Sequence, residues 1–171
     1  MRVGARGEVT RSCALLPPLF LLFTDLSFVS SQILDDADLP RAARAVASST
    51  LLNSGQICMS TERVIIQRGA AEAFVEQLTG IFKQVKAGDF QNDSSAMIGA
   101  LFSEASAENV VSLLKEAVDA GAKVAVGDMQ RQGTIVQPHV VLDVKPGMRL
   151  WDRESFGPGA CLWGILATFG C

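Results

Sequence analysis

The stretch Leu51-Leu52-Asn53-Ser54-Gly55-Gln56-Ile57-Cys58-Met59-Ser60-Thr61-Glu62-Arg63, running straight into Val64-Ile65-Ile66-Gln67, decides the reading of this chain. Before it lies an alanine-rich segment, 41–53, that reads as a helix ending near Asn53-Ser54-Gly55, where glycine suits a C-cap. After it, the β-branched run 63–67 reads as a buried strand. A helix, a tight polar turn and a buried strand in direct succession make up the repeating unit of an α/β domain. The turn holds one cysteine, Cys58, and cysteine is a nucleophile only as the thiolate. No His or Lys lies between Gly55 and Ser60 to assist it. On these residues alone Cys58 is either a small buried core residue or an active-site thiol.

Working outward, the same alternation continues. Ile33-Leu34 reads as a strand end leading into an acidic turn, with Asp38 as N-cap and Pro40 in the first helical turn. Phe74, Leu78, Ile81, Phe82 and Val85 recur at helical spacing and predict an amphipathic helix over 70–87, closed by Gly88-Asp89. Residues 90–100 read as a loop, and Val110, Val111, Leu114 and Val118 predict a helix over 104–120. Lys123–Val126, Thr134–Gln137, Val140–Val144 and Ala160–Phe169 read as strands. Helices alternating with apolar strands predict an α/β fold with a mainly parallel sheet flanked by helices.

The chain has 171 residues, 49% hydrophobic and 19% charged, which suits a folded domain with a core rather than a disordered segment. Its net charge of −3, with no basic stripe, argues against a nucleic-acid partner. Cys13, Cys58, Cys161 and Cys171 form no C-x-x-C pair and His139 is the one histidine, so a zinc site is not expected. Reduced cysteines in a cytoplasmic protein are the simpler reading.

Residues 1–31 differ from the rest. Arg2, Arg6 and Arg11 precede the apolar run Leu15–Phe23, an arrangement like a secretory signal. That run is shorter than the roughly 20 residues of a membrane span and is broken by Pro17-Pro18, so no stable span is expected. The favoured expectation is a divergent or stray N-terminal segment, 1–31, joined to a domain at 32–171; a signal is the alternative.

Two other sites carry possible chemistry. His139 could pair with Cys58 in a thiol hydrolase, but only the fold could bring the two together. Glu154-Ser155-Phe156-Gly157-Pro158 sets a carboxylate and an aromatic against a Gly-Pro turn; alone it could be a surface turn. There is no G-x-G-x-x-G and no Walker lysine motif.

Taken together, Asn53-x-Gly55-Gln56-x-Cys58 and Glu154-x-Phe156-Gly157-Pro158 resemble the cysteine and E-x-F-G-P motifs of the NAD(P)-dependent aldehyde dehydrogenase superfamily. They stand 154 − 58 = 96 residues apart. Between them Ala87-Gly88-Asp89, Ile98-Gly99-Ala100-Leu101-Phe102-Ser103 and Gly121-Ala122-Lys123-Val124 resemble further family segments in the family's order. Cys58 to Arg63 leans toward the vanillin-like, aromatic-aldehyde branch.

The resemblance implies a partial catalytic domain of that fold, a small-molecule aldehyde as substrate and NAD or NADP as cofactor. It makes Cys58 the nucleophile that forms a thiohemiacetal and then a thioester, its own backbone N–H helping to bind the oxyanion. Asn53, Gly55 and Gln56 shape the loop, Glu154 holds the nicotinamide ribose, and Phe156 packs near the nicotinamide. The family is homo-oligomeric, an expectation carried less firmly to a partial chain.

The sequence also departs from the family's pattern. Thr24-Asp25-Leu26-Ser27-Phe28 stands where the family has E-L-G-G-K, which puts Thr24 in place of the general base. The nucleotide-binding half is not in this sequence, and Gly159-Ala160-Cys161 follows Pro158 where the family continues with valine. The expectation is an aldehyde dehydrogenase chain that does not complete turnover. The alternatives are a non-catalytic remnant that associates with a full-length relative, and the Cys58/His139 hydrolase.

Overall fold

The computed structural model describes residues 29–165. Its centre is a five-stranded sheet in the order β1 (Val29–Ile33), β2 (Thr61–Gln67), β7 (Gly159–Ile165), β6 (His139–Leu142), β3 (Lys123–Val126). β1, β2, β7 and β6 run parallel to their neighbours, and only β3 is antiparallel, against β6. β4 (Arg131–Gln132) and β5 (Ile135–Val136) form a separate short hairpin. The expected mainly parallel α/β sheet is present.

Successive strand residues point to opposite faces, and the sheet therefore serves two cores. Val64, Ile66, Val140, Ala160 and Leu162 pack against α1 (Leu39–Leu51) and α2 (Arg68–Phe82), whose Ala43, Val46, Phe74, Leu78 and Phe82 are buried. Val141 and Cys161, with half-buried Ile65, face the other way, toward α3 (Glu104–Asp119) and the short α4 (Arg149–Asp152). Strands covered on both faces must be apolar on both sides, which accounts for the unbroken run at 64–66.

Asp38 caps α1 as expected, its carboxylate accepting from the Arg41 N–H at 3.1 Å with Pro40 in the first turn. Ser103 does the same for α3 through the Ser106 N–H. Three expectations need correction. α2 ends at Phe82 rather than residue 87. The Gln137 side-chain amide accepts from the Ala87 N–H and donates to the Ala87 carbonyl, both at 3.0 Å, and holds that backbone out of a helix. Residues 134–137 do not join the main sheet, since Ile135–Val136 pairs with β4. α1 closes at Leu52 rather than at Gly55, for a reason given below. The expected boundary at residue 32 falls inside β1, while the signal-like run, Thr24 and Asp25, and the last strand beyond Ile165 lie outside the described residues. No helix among the described residues is long and apolar enough to cross a membrane.

Candidate active site

The topology explains why the two sequence motifs meet. Residues 52–60 lead into β2 and residues 153–158 lead into β7, and β2 and β7 are parallel neighbours with Arg63 opposite Cys161. Both segments therefore emerge at the same end of the sheet, side by side.

The Cys58 segment is held at several points. Past α1 the chain makes a left-handed turn, with Asn53, Ser54 and Gly55 at φ 51, 58 and 78. Left-handed backbone costs a non-glycine residue about 1–3 kcal/mol, least for Asn, and persists only where surrounding contacts enforce it. Those contacts are present. The buried Ser54 hydroxyl donates to the Gly99 carbonyl at 2.9 Å. The Gln56 side-chain Oε1 accepts from the Phe102 N–H at 2.7 Å, and its side-chain NH2 donates to the carbonyls of Asn53 and Ala100. Gln56 thus clasps the 100–102 segment to the loop. Downstream, the Ser60 N–H closes a tight turn on the Ile57 carbonyl, which leaves Cys58 and Met59 at its exposed tip. The Ser49 hydroxyl accepts from the Thr61 N–H, and the Thr50 hydroxyl donates to the Thr61 carbonyl at 2.6 Å, tying the end of α1 to the start of β2.

Gly55 is where the two motifs touch. A Cβ there would collide with the Gly157 carbonyl, so the position needs glycine on steric as well as conformational grounds. Gly157 is itself wedged on α3, since a Cβ on it would come within 2.6 Å of Val110 Cγ2. On the same turn Glu154 is half-buried and Phe156 is exposed at φ 52. Partial burial raises the Glu154 carboxyl above its usual range, opposed by the positive charge of Arg63. Arg63 lies with its guanidinium 5.3 Å from the centroid of the Trp151 ring on α4.

His139 opens β6, and its backbone N–H donates to the Pro158 carbonyl at 2.8 Å. Its ring is buried at the start of β6, with Nε2 accepting from the Met129 N–H at 2.9 Å. Gly127 sits so close that any Cβ there would strike the imidazole. Burial first of all lowers the His139 pKa, with the Gln137 backbone and Asp128 opposing. Asn53, Gly55, Gln56, Cys58, Glu154 and Phe156 are gathered at one end of the sheet. Sequence reasoning missed Glu62, a buried carboxylate that joins the two segments. In the sequence it stands between Thr61 and Arg63 and gives no sign of burial.

The sequence model of the Aldehyde dehydrogenase family matches residues 30–163. The chain is 41% identical over 128 residues to vanillin dehydrogenase of Pseudomonas fluorescens, covering 75% of this chain and 26% of that protein. It is 40% identical over 126 residues to salicylaldehyde dehydrogenase of Pseudomonas sp. strain C18, covering 74% and 26%. Among solved structures, salicylaldehyde dehydrogenase from Pseudomonas putida G7, complexed with salicylaldehyde, superposes with a TM-score of 0.75 at 34% identity, over 81% of this chain and 28% of that one. The chain thus spans about a quarter of the length of the curated relatives it matches.

Proposed function

The chain belongs to the aldehyde dehydrogenase family, and on that premise we propose that it carries the nucleophile of an NAD(P)-dependent oxidation of an aromatic aldehyde to its carboxylic acid. The observation that carries this reading is an exposed Cys58 on a braced turn, packed through Gly55 against the turn that bears Glu154 and Phe156.

Cys58 attacks the aldehyde carbonyl as thiolate, forming a C–S bond and a thiohemiacetal. The backbone N–H groups of so tight a turn supply donors for the oxyanion without reorganisation. When bound, the nicotinamide cofactor supplies the hydride acceptor. The residues present fit its ribose end: the half-buried Glu154 carboxylate suits ribose hydroxyls, and the exposed face of Phe156 suits a flat heterocycle. Exposed Met59 beside the thiol and exposed Phe102 on the segment clasped by Gln56 give an apolar surround that suits an aromatic aldehyde, in keeping with the two aromatic-aldehyde dehydrogenases among the relatives. Thr24 stands where the resemblance calls for a base, and a threonine hydroxyl does not take up a proton at neutral pH. This chain therefore acylates and does not turn over.

An activated nitrophenyl ester tests the reading. The thiolate displaces nitrophenolate and keeps the acyl group, so intact mass should show one acyl adduct, mapped to Cys58 and slow to hydrolyse. Cys58→Ser should lack it and His139→Ala should retain it. Equal adduct on Cys58→Ser would end the nucleophile assignment. Rapid turnover lost in His139→Ala would favour the hydrolase instead, and an unreactive chain that co-purifies with a full-length relative would favour the remnant.

A further inference from the structure

Glu62 has no part in the chemistry above, yet it sits four residues after Cys58 at the start of β2 with only 7% of its surface exposed. One carboxylate oxygen accepts from the Phe156 N–H at 2.9 Å, the Ser155 hydroxyl at 3.0 Å and the Ser155 N–H at 3.1 Å. The other accepts from the Ser155 N–H at 2.9 Å. All of these donors belong to the single turn between Glu154 and Gly157. The hydrogen bonds to its two oxygens all come from donors, and a single acceptor oxygen reaches both backbone amides. Burial raises its carboxyl, with the Ser155 and Phe156 backbone and the Ser155 hydroxyl opposing and the charge of Glu154 adding to the rise. Burying a carboxylate costs more than packing an apolar side chain there, and its return is geometric. Phe156, from whose N–H the carboxylate accepts, stands in the left-handed region, which side chains rarely occupy.

We propose that Glu62 is a positioning residue, binding the Glu154–Phe156 turn to the Cys58 segment so that the cofactor-facing groups keep one orientation relative to the nucleophile. The cofactor-facing role of Glu154 and Phe156 is the one taken under the proposed function; the mechanical link stands on the hydrogen bonds alone. Ser60 and Thr61, pinned on Ile57, Ser49 and Thr50, leave little slack between Cys58 and Glu62.

Amide hydrogen exchange by NMR on the 171-residue chain tests this. Glu62→Ala should speed exchange at the Ser155 and Phe156 amides by about tenfold to a hundredfold, as for lost bonds to a charged acceptor. Val64, Ile66 and Val140 should keep their protection, and Glu62→Gln, whose carbonyl can accept from the same two amides, should restore most of it. Unchanged exchange at Ser155 and Phe156, a uniform loss across the sheet, or failure of the glutamine to rescue would each overturn the proposal. Should Glu62→Ala not fold, Glu62→Gln together with Ser155→Ala decides: local loosening in Ser155→Ala with protection kept in Glu62→Gln supports it, and anything else overturns it. Nicotinamide mononucleotide, added as a probe, should shift the Phe156 amide in the wild type and not in Glu62→Ala. A silent wild type with the exchange pattern intact would sink the cofactor reading and leave the positioning role standing.

Discussion

At the scale of single residues, the unusual feature is a carboxylate buried where an apolar residue would pack. The folded-state pKa of Glu62 lies above its ordinary value, with desolvation the largest cause. Over the window from about pH 4.5 up to that raised value, the folded chain binds more protons than the unfolded one. The contribution of Glu62 to stability is therefore fully present below about pH 4.5 and is lost as pH rises through the folded pKa. Glu62→Gln, which carries no charge to desolvate, should be more stable than the wild type at neutral pH, and the gap should close toward pH 4.5. Urea unfolding at a series of pH values measures this, and a gap that widens on acidification would reverse the assigned sign. Cys58 and Glu154 were legible in the sequence because their neighbours form fixed patterns. Glu62 was not, because a charged residue beside Arg63 reads as solvent-facing until the fold sets Ser155 and Phe156 over it.

At the scale of elements, two helices brace the site from opposite faces of the sheet, and each begins with a side-chain cap. α1 delivers the cysteine turn from its C-terminal end. α3 follows directly on the 99–102 segment that accepts from Ser54 and engages Gln56. Removing a cap of this kind costs about 1 kcal/mol. Asp38→Ala and Ser103→Ala should each lower the unfolding free energy by about that much in chemical denaturation, and the pair should add, since the caps share no partner. A clearly non-additive pair would mean that the two helices feel each other through the segment Gln56 clasps. The start of α1 could be read from Asp38 with Pro40, while that of α3 was read from its apolar period and its Ser103 cap appears only in the structure. The end of α2 could not, because Val85 extends its apolar period while the group that stops the helix, Gln137, lies 50 residues away. The β4–β5 hairpin escaped notice for a different reason: Arg131-Gln132 is exposed and polar and gives no alternation to detect. The left-handed turn at 53–55 was mistaken for a simple glycine cap because Asn53 and Ser54 adopt positive φ only under the pull of Gly99, Ala100 and Phe102.

At the scale of the whole molecule, helices cover both sheet faces, and among the described residues large apolar side chains stay exposed on the segments around the site as well as at Phe90 and Met97. Phe102 is 91% exposed, Met59 68% and Leu52 63%, with Phe156 also open. They are carried on segments joined through Gln56 and through Gly55 against Gly157. Large apolar side chains gathered this way mark a surface that associates. Among the described residues β1 and β3 each pair on one side only, which adds strand edges able to recruit another chain. With a net charge of only −3, long-range repulsion opposes association weakly. The isolated 171-residue chain should therefore self-associate with rising concentration in size-exclusion chromatography with light scattering. Because the patch surrounds the thiol, association should also slow alkylation of Cys58. Phe102→Glu should shift the population toward monomer and restore fast alkylation without lowering the melting temperature, since that side chain is solvent-facing and its backbone N–H, not its ring, meets Gln56. A chain that stays a monodisperse monomer at every concentration and melts cooperatively would count against this. So would one that associates while Cys58 reacts at an unchanged rate, because the contact would then lie on the strand edges and leave the cysteine face open.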